Sequence, residues 1–217
     1  MYRACIFDLD GTLTDTLESL TYSVNETLKE LGLSGITSEQ CKYFVGNGAR
    51  YLIERALEAS GDTKLVHIEE AMEIYRRIFK VYCTYRVAPY EGIVELLQVL
   101  KKDGIKLAVL SNKPHLQTQD VVAAYFEPGT FTCVQGQQEG VPRKPDPTVA
   151  LVIAEKMGVP PEECVYIGDS DVDMQTGNAA GMESVGVTWG FRPRHVLEEH
   201  GAKHTIDHPE ELISIMK

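Results

Sequence analysis

The chain has 217 residues and a formal net charge of −11, with 21 Lys and Arg against 32 Asp and Glu. That length suffices for one substantial core plus a small appended domain, and the acidic balance disfavours nucleic acid and anionic membrane surfaces, which both need a basic face. Its five cysteines, Cys5, Cys41, Cys83, Cys133 and Cys164, are scattered singly and odd in number, the pattern of free thiols in a reducing compartment.

In chain order, Ala4-Cys5-Ile6-Phe7 predicts a buried parallel strand. The stretch from Thr16 to Arg86 then reads as almost entirely helical. Leu17, Leu20, Val24, Leu28 and Leu31 share one face, and Gly32 supplies a stop. Thr37-Ser38-Glu39-Gln40 matches a capping box. Leu52, Ala56 and Leu57 form a second apolar stripe, and Ile68, Met72, Tyr75, Ile78, Phe79 and Tyr82 a third. Four helices result, with linkers near Asp15 and Ala88-Pro89 as the hinge.

Beyond the hinge, helix and strand alternate. Helices are predicted over residues 93–101, 117–125, 147–157 and 173–180, with strands over 105–110, 131–134, around Val165, and over 184–187. A short strand at 204–206 and a helix over 209–215 complete the pattern. Alternation of this kind specifies an α/β fold, a doubly wound parallel sheet with helices on both faces. The helical stretch is an inserted cap domain, residues 16–88, between the two parts of the core, 1–15 and 89–217.

Chemistry-bearing side chains follow the strands. Asp8-Leu9-Asp10-Gly11-Thr12 leaves the first strand at its carboxyl edge, where open α/β sheets place their sites. Two carboxylates that close imply a bound divalent cation or a shared proton. Gly11 permits a sharp turn, and the Thr12 hydroxyl can tie it down. Ser111-Asn112-Lys113 offers a hydroxyl, an amide and an ammonium at another strand end, all groups that bind phosphate. Arg143-Lys144-Pro145-Asp146-Pro147 fixes Lys144 as a placed cation. Gly168-Asp169-Ser170-Asp171-Val172-Asp173 is an oxygen-rich acidic turn of the kind that Mg²⁺ prefers. In the helical stretch, Gly46-Asn47-Gly48 reads as a loop that lets a small ligand approach the backbone, and Arg50 is placed to pair with a carboxylate. The six histidines show no metal-ligand spacing and are expected on the surface.

The order Asp-x-Asp-Gly-Thr, Ser-Asn-Lys, Lys-Pro, Gly-Asp-Ser-x-x-Asp resembles the haloacid dehalogenase-like hydrolases over essentially the whole chain. Within them, Phe44 to Arg50 and the following Leu52 to Leu57 are similar to the substrate-loop region of the phosphoglycolate phosphatase branch. The resemblance implies a Rossmann-like hydrolase core and a Mg²⁺-dependent phosphatase. In it Asp8 is the nucleophile, forming an aspartyl-phosphate, Asp10 the acid and then the base, and Lys144 the charge-offsetting cation. Mg²⁺ would be held by Asp8, Asp169 and the Asp10 carbonyl, with Asp173 assisting. Thr12, Ser111 and Asn112 are expected at the phosphate, and Gly46, Asn47, Gly48 and Arg50 at the organic part of the substrate.

Asp10 sets the chain apart from the halide-removing members, which lack this acid, and from the ion pumps, which carry lysine there. Leu20 stands where sugar phosphomutases carry a cap histidine. The expected substrate is a small phosphorylated metabolite, 2-phosphoglycolate foremost. Pyrophosphate hydrolysis and sugar-phosphate phosphatase or phosphomutase activity are the alternatives. A non-enzymatic scaffold is disfavoured because none of Asp8, Asp10, Lys144 and Asp169 is lost. With no basic-then-apolar leader and no apolar run of membrane-spanning length, the expectation is a cytoplasmic protein, monomeric or homodimeric.

Overall fold

Strand β1 (Ala4–Phe7) is completely buried, and its side chains alternate between two apolar clusters. Cys5 and Phe7 face one side, with Val165 and Ile167; Ala4 and Ile6 face the other, with Cys164 and Tyr166. A strand apolar on both faces is stable only between two helical layers, and the computed structural model, which describes residues 1–217, has that architecture. Six parallel strands run β5 (Cys133–Gln137), β4 (Lys106–Pro114), β1, β6 (Cys164–Gly168), β7 (Glu183–Val187), β8 (His204–Ile206). The α/β doubly wound, Rossmann-like fold is therefore as expected. Its strand order reverses between β1 and β6, so the crevice of the sheet opens above the carboxyl ends of those two strands.

One face of the sheet is covered by α5 (Ile93–Lys102) through Leu96, Leu97 and Leu100. The other is covered by α7 (Thr148–Met157) through Ala150, Ile153 and Met157. Helices α6 (His115–Tyr125), α8 (Asp171–Ala179), α9 (Arg194–Glu199) and α10 (Leu212–Ile215) complete the two layers. Several boundaries differ from the sequence reading. Strand β4 continues past Leu110 to Pro114, because its pairing with β5 resumes at Pro114 and Gln137 after a register shift. Ser111, Asn112 and Lys113 thus lie within an irregular strand end. Strand β5 starts at Cys133 rather than Phe131, whose ring packs edge-on against Phe126. Helix α8 starts two residues before Asp173, because Ser170 caps it and Asp173 closes the reciprocal capping box. Helix α9 was not predicted; it has only six residues.

Between the core strands lie α1 (Leu17–Glu30), α2 (Ser38–Phe44), α3 (Gly48–Ala59) and α4 (Ile68–Tyr82). The expected capping box forms at Thr37 and Gln40. These helices share an apolar cluster of their own that includes Leu20, Val24, Leu28, Leu57, Tyr75 and Phe79. The two linkers form a small antiparallel pair, β2 (Thr14–Asp15) with β3 (Ala88–Pro89). So the hinge positions read from sequence are hydrogen-bonded to one another. One aromatic from the core, Phe191 after β7, inserts into the helical cluster.

Leu57 is fully buried in that cluster. Leu57→Ala is expected to cost about 2–5 kcal/mol of stability through lost burial and a residual cavity. Urea unfolding measures it, and a loss below ~1 kcal/mol would mean that the helices are not packed as described.

Candidate active site

Three carboxylates meet at the switch point of the sheet. Asp8 follows β1, and Asp169 and Asp173 follow β6; one oxygen from each lies within 4.8 Å of the others, and all three side chains are buried. Lys144 lies against them, its Nζ 3.0 Å from Asp8 Oδ1 and 2.7 Å from Asp173 Oδ1. This one ammonium offsets two buried negative charges, and removing either side of such a contact would strand the other at a cost of about 3–5 kcal/mol. The loop carrying Lys144 is held by Asn112, whose side chain accepts from the Lys144 N–H at 3.0 Å and donates to its carbonyl at 3.1 Å.

Asp173 spends both oxygens inside the protein: Oδ1 on Lys144, and Oδ2 as acceptor from the Ser170 N–H and hydroxyl at 3.1 and 2.5 Å. Asp169 accepts from the Thr12 hydroxyl at 3.0 Å and from the Phe191 N–H at 2.7 Å. Asp8 Oδ1 accepts from the Leu9 N–H at 2.7 Å, and no protein group hydrogen-bonds its Oδ2. The Asp10 carbonyl accepts no hydrogen bond either. Without a further cation, burial is the largest influence on both Asp8 and Asp169. It pushes Asp8 up to about 7, with Lys144 opposing and Asp173 and Asp10 adding to it. Asp169 rises to about 8, with Asp173 and Asp8 adding to the effect of burial. Free oxygens on Asp8 and Asp10, all hard donors, beside carboxylates that resist ionisation are what a divalent ion of the magnesium type fits.

Close backbone packing maintains this geometry. Gly11 has φ +84°, and a Cβ there would run into the Asp169 carboxylate. At Gly190 a Cβ would collide with Asp169 Cβ and the Gly11 carbonyl. Glycine is required at both positions by the approach of Asp169.

Above the carboxylates is a cleft that is open to solvent on one side. Asp8, Asp10, Ser111, Asn112, Lys113 and Asp169 form its floor. Its helical side is largely apolar, with Leu20, Val45, Leu52 and Phe79, joined by Phe191 from the core. Gly46 and Gly48 line the cleft.

Three expected contacts are placed differently. The Thr12 hydroxyl orients Asp169 and is fully buried rather than facing the cleft. Asn47 turns its carbonyl to Arg143 Nη1, 2.9 Å away, and does not line the cleft. Arg50 also lies off the cleft: its guanidinium pairs with Glu54 at 3.0 Å and Glu69 at 2.8 Å on the half-exposed outer face of α3. The i,i+4 acid beside it offers a nearer partner than any ligand.

The sequence reading missed Gly190-Phe191-Arg192. Its available signal was a glycine between two aromatics, Trp189 and Phe191, just past the end of β7, where the sheet opens. Arg192 fastens the helical side to the core, donating to the carbonyls of Lys42 at 2.7 Å, Tyr43 at 3.3 Å and Val45 at 2.6 Å. Asn112 Nδ2 likewise donates to the Gly46 carbonyl at 2.9 Å. Carbonyls 45, 46 and 47 are thereby each held by a different core side chain.

The family model described as haloacid dehalogenase-like hydrolase matches residues 5–187. The chain belongs to that family. It is 31% identical to a phosphoglycolate phosphatase of Aquifex aeolicus, over 99% of this chain and 96% of the relative. It is 34% identical to one of Haemophilus influenzae, over 97% of this chain and 96% of the relative. A solved structure of a predicted phosphoglycolate phosphatase from Haemophilus somnus superposes with a TM-score of 0.90 at 27% identity, covering 100% of this chain and 98% of that one. Relatives of this kind along the whole length make the chain a phosphatase. No helix is long and apolar enough to cross a membrane.

The raised values of Asp8 and Asp169 give a signed pH dependence. Both lie above the 3.8 of an unfolded aspartate, so the native state holds more protons than the unfolded chain between the two values. In chelator, the stability these groups contribute is present in full below pH ~4 and is lost as pH rises through ~7 and ~8. Added Mg²⁺ is expected to restore it, with a gap that widens as pH rises. Thermal unfolding with and without chelator checks this; a gap independent of pH would contradict it.

Proposed function

We propose that this phosphatase is a magnesium-dependent phosphomonoester hydrolase that carries the phosphoryl group on Asp8 as an aspartyl-phosphate, and that its substrate is 2-phosphoglycolate. The observation that carries the reaction is the pairing of two under-engaged carboxylates on the cleft floor. Asp8 keeps Oδ2 free, and Asp10 has a single hydrogen bond, from Lys113 Nζ to its Oδ1 at 2.9 Å.

Asp8 Oδ2 attacks phosphorus, and the bond from phosphorus to the ester oxygen breaks as Asp10 delivers its proton there. Asp10 then takes a proton from water as that water attacks the phosphorus of the aspartyl-phosphate, releasing inorganic phosphate and restoring Asp8. Lys144 offsets the charge on Asp8 throughout. The Ser111 oxygen accepts from the Lys113 N–H at 3.3 Å, so its own proton is free for a phosphoryl oxygen. Asp8, Asp169 and the Asp10 carbonyl would hold Mg²⁺, and Asp173, which unlike Asp169 does not line the cleft, would steady the site through Lys144 and Ser170. When bound, the ion supplies charge neutralisation at the nucleophile and the phosphoryl oxygens.

Support for a short substrate comes from the helical wall. Leu20, Val45, Leu52 and Phe79, with Tyr75 the single polar side chain among the helical lining residues, give a hexose few partners for its hydroxyls, and unpaired hydroxyls buried there would be costly. The relatives named phosphoglycolate phosphatase favour the same choice. The cytoplasm, with its reduced thiols, is the proposed place of action.

Asp8→Asn is expected to abolish turnover together with acid-quenched labelling of the protein by phosphate. Asp10→Asn should still label but release phosphate at least ~100-fold more slowly. Labelled Asp8→Asn protein would overturn the assignment of the nucleophile. In a panel with Mg²⁺, kcat/KM for 2-phosphoglycolate is expected to exceed that for glucose 6-phosphate and pyrophosphate; a panel led by either of those would overturn the substrate.

A further inference from the structure

We propose that Lys113 is the residue that selects the leaving group, its buried ammonium binding a carboxylate carried one carbon from the ester oxygen. The proposal rests on the phosphomonoesterase reading above and names what that site recognises.

Two cationic residues line the cleft, Lys113 and Arg192. Arg192 is already committed: Nη1 and Nη2 serve three carbonyls of the helical side, and Nε lies 3.8 Å from the Asp171 carboxylate. Lys144, beneath the floor, is divided between Asp8 and Asp173. Lys113 is different. Its side chain is 0% exposed, yet of its three N–H donors one alone has a hydrogen-bond acceptor, Asp10 Oδ1. Close to it as well are the Phe79 ring, with its centroid 4.7 Å from Nζ, and the Cys83 thiol. A ring face attracts a cation but does not satisfy its donors as an oxygen would. An ammonium buried with donors unspent is costly, and a ligand oxygen arriving from the cleft would remove that cost.

The position of Lys113 determines which ligand oxygen this is. Its Nζ is hydrogen-bonded to the carboxylate that protonates the departing oxygen, so it stands beside the bond that breaks. A carboxylate on the carbon next to that oxygen falls within its reach, and in a wall as apolar as this one the attraction is little screened. A neutral hydroxymethyl group in the same place would hydrogen-bond Lys113 without adding an opposite charge. Arg50, paired on the outer face of α3, takes no part.

The test compares two esters of equal length, 2-phosphoglycolate and 2-hydroxyethyl phosphate, on the full chain with Mg²⁺. The wild type, Lys113→Gln and Lys113→Arg are measured, with circular dichroism to verify folding. Lys113→Gln is expected to lose about 10–100-fold more in kcat/KM on the carboxylate ester than on the neutral one, chiefly through KM. Lys113→Arg should recover part of the preference. Equal losses on both esters would mean that Lys113 only positions Asp10, and would overturn the proposal while leaving the phosphatase reading intact. A wild type with no preference for the carboxylate ester would overturn the substrate reading, and the proposal with it. If the variants do not fold, the wild type decides: the ammonium signal of ¹⁵N-labelled Lys113 should shift when glycolate is added with orthovanadate, and not with ethylene glycol and orthovanadate. An unchanged signal overturns the proposal.

Discussion

The buried contact between Lys144 and the carboxylates of Asp8 and Asp173 is the interaction on which the rest of the site depends. Three acids packed together away from water would not all ionise, and each would be a defect in an otherwise apolar sheet. One lysine, held from a different loop, makes the cluster tolerable while leaving Asp8 and Asp169 difficult to ionise. That unresolved charge is what suits the floor to a divalent cation and a phosphoryl group. The fold thus retains local instability at the carboxyl ends of β1 and β6 and stabilises it with the apolar clusters on either side of the sheet.

Asn112 shows how the parts are joined. Its side chain grips the backbone of Lys144 on one side and the Gly46 carbonyl on the other, while its own strand end lies on the cleft floor. The charge-offsetting lysine and the wall that shapes the substrate space are therefore referred to a single amide. Arg192 and Arg143 extend that connection along carbonyls 45 and 47. The wall is registered to the floor through polar contacts to backbone, which hold position whatever side chains the loop carries.

The cleft also separates two uses of positive charge. Lys144 lies between the carboxylates of Asp8 and Asp173, whereas Lys113 pairs with Asp10 alone. Equal formal charges thus sit in unequal surroundings, one between two carboxylates and the other beside one.

Much of this was legible in the sequence, because it was written locally. A strand apolar at every residue must be covered on both faces, strict alternation of helix and strand gives a parallel sheet, and acids directly after a strand must leave at its carboxyl edge. That Asp8, Asp10, Ser111, Lys144 and Asp169 gather at the strand ends was therefore readable from their neighbours in the chain, as were the four helices between the core strands. Contacts between distant segments were not written there. That Thr12 serves Asp169, that Arg50 pairs outward with Glu54 and Glu69, and that Arg192 spans about 150 residues of sequence to hold the 42–45 carbonyls, were decided by packing alone. The direction of a long side chain is set by whichever partner the tertiary fold brings within about 3 Å, and hydrophobic periodicity carries no information about that partner.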